Sequence, residues 1–221
     1  MPSIELDHLL YAGPDLELLR NDFERRSGVV PQAGGRHAAW GTHNALVGLG
    51  AGSYLELIAP EPGSVGPWGS LFGRLAGPSL QAWCVRCGSA DEVAGRLEQV
   101  EVATKRVRGE RRLASGEALK WELVFPRGHT FGGALPFFIE WQGSAAHPSR
   151  TLEPRAALLG LSVQHPDVRG LARVLTAVGA VPTEVELVSG SRIALSARLS
   201  AAAAAFSLEG LLDPTAYLGE V

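Results

Sequence analysis

The sequence predicts an α+β protein built from three copies of one unit, in which a strand and a helix precede about three further strands. Three observations support this prediction. Three segments start with an apolar run, reach an Asp or Ser suited to cap a helix, and continue with apolar residues at helical spacing. The first and third copies share Pro-Asp before the helix and Gly-x-Val-Pro after it. Short runs typical of strands, separated by turn residues, follow each helix.

The first unit, residues 1–59, has its helix after Asp15, with Leu16, Leu19 and Phe23 on one face and Gly28 at the end. Strands are expected over 38–49 and 54–59. A loop over 60–78, rich in Gly, Pro and Ser, follows. Its aromatic and apolar residues suggest that it folds back on the body of the protein.

The second unit, residues 79–143, contains a capping box at Ser89 and Glu92 before a helix with Val93, Leu97 and Val100 on one face. Its strands are expected over 105–111, 117–125 and 136–142. The third unit, residues 155–221, places its helix after Asp167, and its strands over 184–188, 192–199 and 203–209.

Each unit would have one apolar sheet face to bury, so the units should pack on one another. We expect units one and two to pair into a domain over residues 1–145, with the third unit packed on it. The third unit has no fourth copy to pair with, and its exposed face would favour a homodimer.

The composition is typical of a globular protein of the cytoplasm. The 221 residues are 46% hydrophobic, and 20 Lys and Arg against 23 Asp and Glu give a net charge of −3. No long basic run favours nucleic acid or an anionic membrane, and no signal peptide or membrane span is expected. The cysteines, Cys84 and Cys87, have C-x-x-C spacing, but they lie in a strand-like run and lack the second pair that a zinc site needs. We interpret them as reduced thiols.

Three residues in apolar strands are candidates for chemistry. Alignment of the units places His8 and Cys84 at equivalent points of their first strands, while Glu56 in SYLELI and Glu140 in FFIEWQ are lone carboxylates in their last strands. A buried carboxylate costs several kcal/mol unless it meets a cation, a donor or a metal. His8, Glu56 and Glu140 therefore predict a site for Zn, Mn, Fe or Ni.

The alternatives for these residues are structural. His8 would be an ordinary core histidine if it donated only to a carbonyl, and the glutamates would be solvated if their faces were exposed. Asp7 would orient His8 only if both side chains lay on one face, which neighbouring strand residues do not normally share.

These residues resemble the glyoxalase-like branch of the vicinal oxygen chelate superfamily. The resemblance is carried by D-H-L-L-Y-A-x-P-D, G-G-R-H-x-x-W-G-T-x-N and Y-L-E-L-I over residues 4–59, and more loosely by P-F-F-I-E-W within 80–142. It implies paired βαβββ modules that form an incomplete barrel around a metal. Its members include lyases, isomerases, extradiol dioxygenases, transferases and metal-free antibiotic-binding proteins of the bleomycin-resistance type.

The resemblance also implies that metal ligands lie on the first and last strands of paired modules, which points to His8, Glu56 and Glu140. Cys84 or a neighbour would occupy the fourth position, where neither His nor Glu stands. The G-G-R-H-x-x-W-G-T-x-N segment would place His37, Thr42 and Asn44 at the mouth of the trough, although Thr42 and Asn44 would serve equally to fasten a hairpin.

Two functions follow from the sequence. The first is a metal-dependent lyase, isomerase or dioxygenase whose ion chelates neighbouring oxygens of a small metabolite, with His37 as proton shuttle. Substrate contacts would come from Thr42, Asn44, Trp40 and Trp141. The second is a protein without metal or catalysis that sequesters a small molecule in a trough lined by Trp40, Trp83, Trp121 or Trp141.

Overall fold

The computed structural model describes residues 4–112, 116–179 and 181–219. Residues 1–3 of the first predicted unit and residues 220–221 of the third lie outside these ranges. So does position 180, within the Gly-x-Val-Pro of the third unit. Within them, no helix has both the length and the apolar character needed to cross a membrane.

The first two units are confirmed as βαβββ modules. Module one consists of β1 (Glu5–Ala12), α1 (Leu16–Ser27), β2 (Gln32–His37), β3 (Thr42–Gly50) and β4 (Ser53–Pro60). A short helix, α2 (Pro67–Phe72), lies in the connecting loop. Module two consists of β5 (Ser79–Arg86), α3 (Ala90–Gln99), β6 (Ala103–Arg112), β7 (Ala118–Arg127) and β8 (Phe137–Gln142).

The two modules share one sheet of eight strands in the order β2-β3-β4-β1-β5-β8-β7-β6. In each module the first strand pairs in parallel with the last, as β1 does with β4 and β5 with β8. The antiparallel pair β1–β5 joins the modules at the centre. This order relates the modules by a pseudo-twofold axis between β1 and β5.

The helix boundaries follow the predicted caps. The side chains of Asp15, Ser89 and Asp167 each accept a hydrogen bond from a backbone N–H in the first turn of their helices. Gly28 and Gly179 end α1 and α4 (Val168–Val178) in the left-handed conformation that glycine adopts without strain.

The strand predictions are close except at β2. The run 38–49 was expected to form one strand, but residues 38–41 form the turn between β2 and β3. Strand β2 was missed because its sequence, QAGGRH, contains no β-branched or aromatic residue.

The third unit has the predicted order of elements but a different pairing. It comprises β9 (Ala156–His165), α4, β10 (Val185–Ser189), β11 (Ala194–Ala201) and β12 (Ala205–Leu211), in a sheet ordered β10-β9-β11-β12. Its first strand lies between the second and the third strands, and is not paired with the last strand as β1 is with β4. The third unit is therefore not a third copy of the barrel topology.

The third unit covers the outer face of the eight-stranded sheet. Strands β11 and β12 pack on β5, and their apolar residues join one core with α1, α3 and α4. Gly210 approaches β5 so closely that a Cβ atom there would lie 1.7 Å from the Leu80 carbonyl oxygen. The apolar face that suggested a homodimer is thus buried within the chain, and the inner face of the large sheet carries the site.

Candidate functional site

The inner face of the large sheet encloses a cavity of about 440 Å³. Both edge strands, β2 and β6, contribute to its wall, so the sheet curls around it. Module one places His8, Glu56, Asn44 and His37 on the cavity, whereas module two contributes mainly apolar and aromatic side chains. Four tryptophans line it: Trp40, Trp68, Trp121 and Trp141.

Asp7 and His8 share one face of β1 because the strand has a bulge. The pairing with β5 advances from Leu6 opposite Val85 to His8 opposite Cys84, which leaves Asp7 as the extra residue. The Asp7 carboxylate Oδ1 lies 2.7 Å from His8 Nδ1. The parity rule that separates neighbouring strand residues fails here, and Asp7 orients the His8 ring.

Asp7 is completely buried and is held by two further side chains. Its Oδ2 accepts hydrogen bonds from Trp141 Nε1 and His147 Nε2, each at 2.9 Å. Burial raises the pKa of Asp7, but the hydrogen bonds from His147 and His8 outweigh it, so that the pKa lies well below its usual range. The Asp7 carboxylate is therefore ionised.

The imidazole tautomers follow from these contacts. His147 Nδ1 lies 3.2 Å from the backbone N of Ser149 and 2.7 Å from its hydroxyl, and Nε2 donates to Asp7. His8 donates to Asp7 through Nδ1, which leaves Nε2 to face the cavity side of the strand. His8 Nε2 lies 3.6 Å from Oε2 of Glu56.

Glu56 is buried between His8 and Asn44. Its Oε1 accepts a 2.6 Å hydrogen bond from Asn44 Nδ2, while Oε2 faces His8. Asn44 is itself fixed, because its Oδ1 accepts from the backbone N–H of Gly35 at 2.6 Å. One carboxylate oxygen of Glu56 is thus anchored, and the other is available for chemistry.

The glycines near His37 are required by the packing and the turn of the β2–β3 hairpin. A Cβ atom at Gly34 would lie 2.0 Å from Asn44 Oδ1, so only glycine lets the Asn44 amide reach the β2 backbone. Gly41 has φ of +67° and closes the turn between β2 and β3. These residues position Asn44, and through it Glu56.

His37 lines the cavity, whereas Thr42 does not. Thr42 is fully buried, and its hydroxyl lies 3.1 Å from His37 Nδ1. Burial lowers the pKa of His37, so the ring is neutral at neutral pH. Its Nε2 lies 3.5 Å from Asn44 Nδ2. Thr42 thus holds His37 from outside the cavity lining, while its contact with a substrate and the role of His37 as proton shuttle stay predictions.

The tryptophans form two groups. Trp40 stacks on Trp68 of the connecting loop at a centroid distance of 4.3 Å, which confirms that the loop folds back on the body. Trp121 and Trp141 lie 5.8 Å apart on β7 and β8. Trp83 is buried on the outer face, where Nε1 donates to the Ala134 carbonyl, so it does not line the trough as expected.

The structure does not bring Glu140 to His8 and Glu56. Its Oε2 accepts a 2.7 Å hydrogen bond from the backbone N–H of Ala90 at the start of α3, on the outer face. The register explains the error: His8 pairs with Tyr54 as Cys84 pairs with Phe137, so Ile139 is the counterpart of Glu56. The alignment of Glu140 with Glu56 was wrong by one residue.

In this register, only two of the four positions expected to hold metal ligands carry residues suited to that role. His8 and Glu56 stand at the two positions in module one, but Cys84 and Ile139 stand at those in module two. Burial raises the pKa of Cys84 well above its usual range, which keeps the thiol protonated and a poor ligand. The residues do not fit the four-ligand metal centre that the resemblance implies.

A second group of donors lies beside it. Among the described residues, Asp7, His8 and Cys84 offer ligand atoms within 4.8 Å of one another. Both oxygens of Asp7 already accept hydrogen bonds from His8, His147 and Trp141, and the Cys84 thiol is protonated. This cluster therefore orients His8 and is poorly suited to an ion.

Sequence reasoning missed Asp7, His147 and Arg111. Asp7 was considered and set aside on strand parity, which the bulge overrides. His147 lies in a loop after β8, and nothing in its local sequence indicates that it reaches β1. Arg111 was named only as the last residue of a predicted strand, although it lines the cavity.

Residues 6–179 match the sequence profile of the glyoxalase-like domain. The chain belongs to this glyoxalase-like family. No curated protein matches it. A hypothetical protein from Staphylococcus aureus has a similar structure, with a TM-score of 0.63 at 15% identity over 95% of this chain and 86% of that one.

Other solved structures share parts of this glyoxalase-like fold. A mutant of 4-hydroxymandelate synthase from Streptomyces coelicolor matches with a TM-score of 0.52 and 18% identity over 96% of this chain and 64% of that one. Methylmalonyl-CoA epimerase from Mycobacterium tuberculosis matches with a TM-score of 0.43 and 19% identity over 64% of this chain and 89% of that one. At these identities the likeness concerns the fold alone.

Proposed function

We propose that this glyoxalase-like protein is an acid–base enzyme that transfers a proton to or from a small molecule in the aromatic trough. The observation that carries the proposal is the 3.6 Å approach of His8 Nε2 to Glu56 Oε2 on the cavity, with ionised Asp7 behind His8. The proposal replaces the metal-dependent reaction expected from the sequence, because module two lacks the required ligands.

The protonation of His8 and Glu56 is constrained by their contact. His8 Nδ1 carries a proton because it donates to Asp7. Its Nε2 therefore carries either a lone pair, in the neutral ring, or a second hydrogen, in the imidazolium. A lone pair facing an ionised carboxylate would be repulsive. A proton carried on either Nε2 or Oε2 removes this repulsion, and it can be delivered to a ligand or regenerated from it.

The surroundings favour proton transfer over simple binding. Asp7 stabilises the imidazolium that forms when His8 takes the proton, and Asn44 fixes Glu56 in the orientation needed for transfer. Because His8 and Glu56 are buried, these charges act more strongly than they would in solution. The resulting reaction class is isomerisation or elimination at a carbon acid.

Deuterium exchange tests the proposal. 3-Aryl-2-oxo acids, β-keto acids and arylacetyl thioesters, which carry hydrogens next to the carbonyl, would be incubated with the enzyme in D2O, and loss of C–H signal followed by NMR. We expect exchange above the buffer rate with at least one class, and a loss of about 10²-fold or more in Glu56→Gln and His8→Gln. Glu140→Gln is the matched control and should retain exchange.

A second function, sequestration without turnover, is favoured by the four tryptophans of the trough. Tryptophan fluorescence separates the two. Quenching by a ligand that shows no exchange in the wild type, and equal quenching in Glu56→Gln, would replace the enzyme with a binding protein.

A further inference from the structure

Three arginines line the cavity, and one of them has no hydrogen-bond or ion-pair partner among the described residues. Arg36 lies 3.3 Å from the Glu61 carboxylate, and Arg108 lies 3.3 Å from that of Glu122. Within the described ranges, the Arg111 guanidinium makes no hydrogen bond or ion pair, although it lines the cavity and is only partly exposed.

Arg111 reaches across the trough from one edge of the sheet to the other. It lies on β6, where residues 107–111 all line the cavity; Val107, Gly109 and Arg111 are partly buried, and Arg108 and Glu110 are exposed. A Cβ atom at Gly35, on β2 of module one, would lie 3.2 Å from Arg111 Nη1. The guanidinium therefore stands beside the backbone N–H of Gly35 that holds Asn44.

The charges near Arg111 leave it available to an anion. Burial is the main cause that lowers the pKa of His37; Glu56 opposes this effect and Arg111 adds to it. Because His37 is neutral, Arg111 is the permanent cation on this part of the wall. A half-buried guanidinium without a carboxylate is stabilised when a bound anion supplies the missing hydrogen bonds.

A flat apolar surface lies beside Arg111. Trp121 pairs with Gly109, and a Cβ atom at Gly109 would lie 2.5 Å from the indole ring. The ring therefore lies across the β6 backbone, two residues from Arg111. Trp141 packs against Trp121 and extends this surface. On its other side, Trp141 contacts His147 and donates a hydrogen bond to the buried Asp7.

We propose that Arg111 is the anchor for a carboxylate group on the ligand, and that the ligand is a small acid with a flat apolar body lying against Trp121. This inference rests on the proposed function, because it takes the cavity to be the substrate pocket of the enzyme. The planar fork of one guanidinium matches the two oxygens of a carboxylate. A phosphate dianion would be better served by more than one unpaired cation.

The test uses calorimetric titration with 2-naphthoate and its neutral analogue 2-naphthamide. The wild type should bind the carboxylate at least about tenfold more tightly, and Arg111→Gln should bind both equally. Arg111→Lys should retain part of the preference, because it keeps the charge and loses the fork. Arg112→Gln is the matched control, since Arg112 is exposed, does not line the cavity and should leave the preference unchanged.

Two results would overturn the carboxylate anchor: a wild type without preference for naphthoate, or Arg111→Gln with the preference intact. Glu56→Gln separates this inference from the proposed enzyme, because it should retain the preference while losing deuterium exchange. A preference that depends on Arg111 in a protein without exchange would leave the anchor standing and remove the acid–base reaction.

Discussion

Asp7 and His147 are separated by 140 positions in the sequence, yet His147 Nε2 lies 2.9 Å from Asp7 Oδ2. The loop after β8 thus returns to the first strand and closes the end of the trough beside Tyr54 and Trp141. Asp7 links this loop to His8 and Glu56. His147, which lies in none of the motifs identified in the sequence, therefore helps to hold the Asp7 carboxylate behind the proposed acid–base pair.

His147→Ala should lower turnover more than ligand affinity. The change removes a donor from a completely buried carboxylate, which costs about 1–3 kcal/mol of unfolding free energy. Asp7 would then hold His8 less firmly, whereas Arg111 and the tryptophans would be unaffected. Exchange rates at saturating and low ligand measure the split. Ser149→Ala is the milder comparison, because it removes the hydroxyl 2.7 Å from His147 Nδ1 but keeps the contact to Asp7, and it should lower turnover less. An equal fall in affinity would contradict this role.

The pKa of Asp7 gives a pH dependence with a defined sign. Because the folded-state pKa lies below the unfolded value of about 3.9, the contribution to stability is complete above that pH and is lost as the pH falls further. Asp7→Asn should reduce the unfolding free energy by about 3 kcal/mol near neutral pH. The difference between wild type and variant should shrink below about pH 4, as measured by urea unfolding across the acid range. A constant difference down to low pH would show that Asp7 is not the ionised group.

Gly34→Ala should disturb the site through Asn44. The new Cβ would meet Asn44 Oδ1 at 2.0 Å, so the amide must move and release Glu56. We expect about 1–3 kcal/mol of destabilisation and a large loss of deuterium exchange. Gly77→Ala is the control, because a Cβ there meets nothing within 4 Å. Equal exchange in both variants would argue that Asn44 does not position Glu56.

The repeated plan of modules one and two could be predicted because it depends on local chemistry. Caps at Asp15 and Ser89 and apolar spacing act within a few residues, and they appear in the structure where expected. The unit that follows Asp167 shows the limit of this reasoning. Its elements are as predicted, but which strands pair depends on the surface it must cover, and that surface is built by other segments.

The site was predicted in part for the same reason. His8 and Glu56 lie together because the parallel pairing of β1 and β4 follows from the βαβββ plan. Glu140 was misplaced because a register difference of one residue moves a side chain to the other face of a sheet. Such a difference, like the bulge at Asp7, is set by contacts between strands and leaves no local mark in the sequence.

Glu140→Ala tests the corrected position of this carboxylate. Glu140 accepts from the first backbone N–H of α3 and lies near the positive end of the helix dipole. Its removal should lower the unfolding free energy by about 1 kcal/mol, with a smaller loss in Glu140→Gln, which keeps an acceptor. Urea unfolding measures the stability. Loss of exchange in a variant that remains fully folded would return Glu140 to the site.

Metal binding gives a direct test of the register. After incubation with Zn, Mn, Fe or Ni and desalting, the wild type should retain well below one ion per chain by elemental analysis, since Cys84 and Ile139 replace two ligands. Cys84→His combined with Ile139→Glu restores a four-ligand set at positions that the pairing makes equivalent to His8 and Glu56. The double variant should bind about one zinc per chain, because four nitrogen and oxygen donors satisfy its tetrahedral preference. Cys84→His with Glu140→His places the second donor on the outer face and should not gain zinc.

A wild type that holds one ion tightly, and loses it in both His8→Ala and Glu56→Ala, would show that water completes a two-residue site and would restore the metal to the reaction.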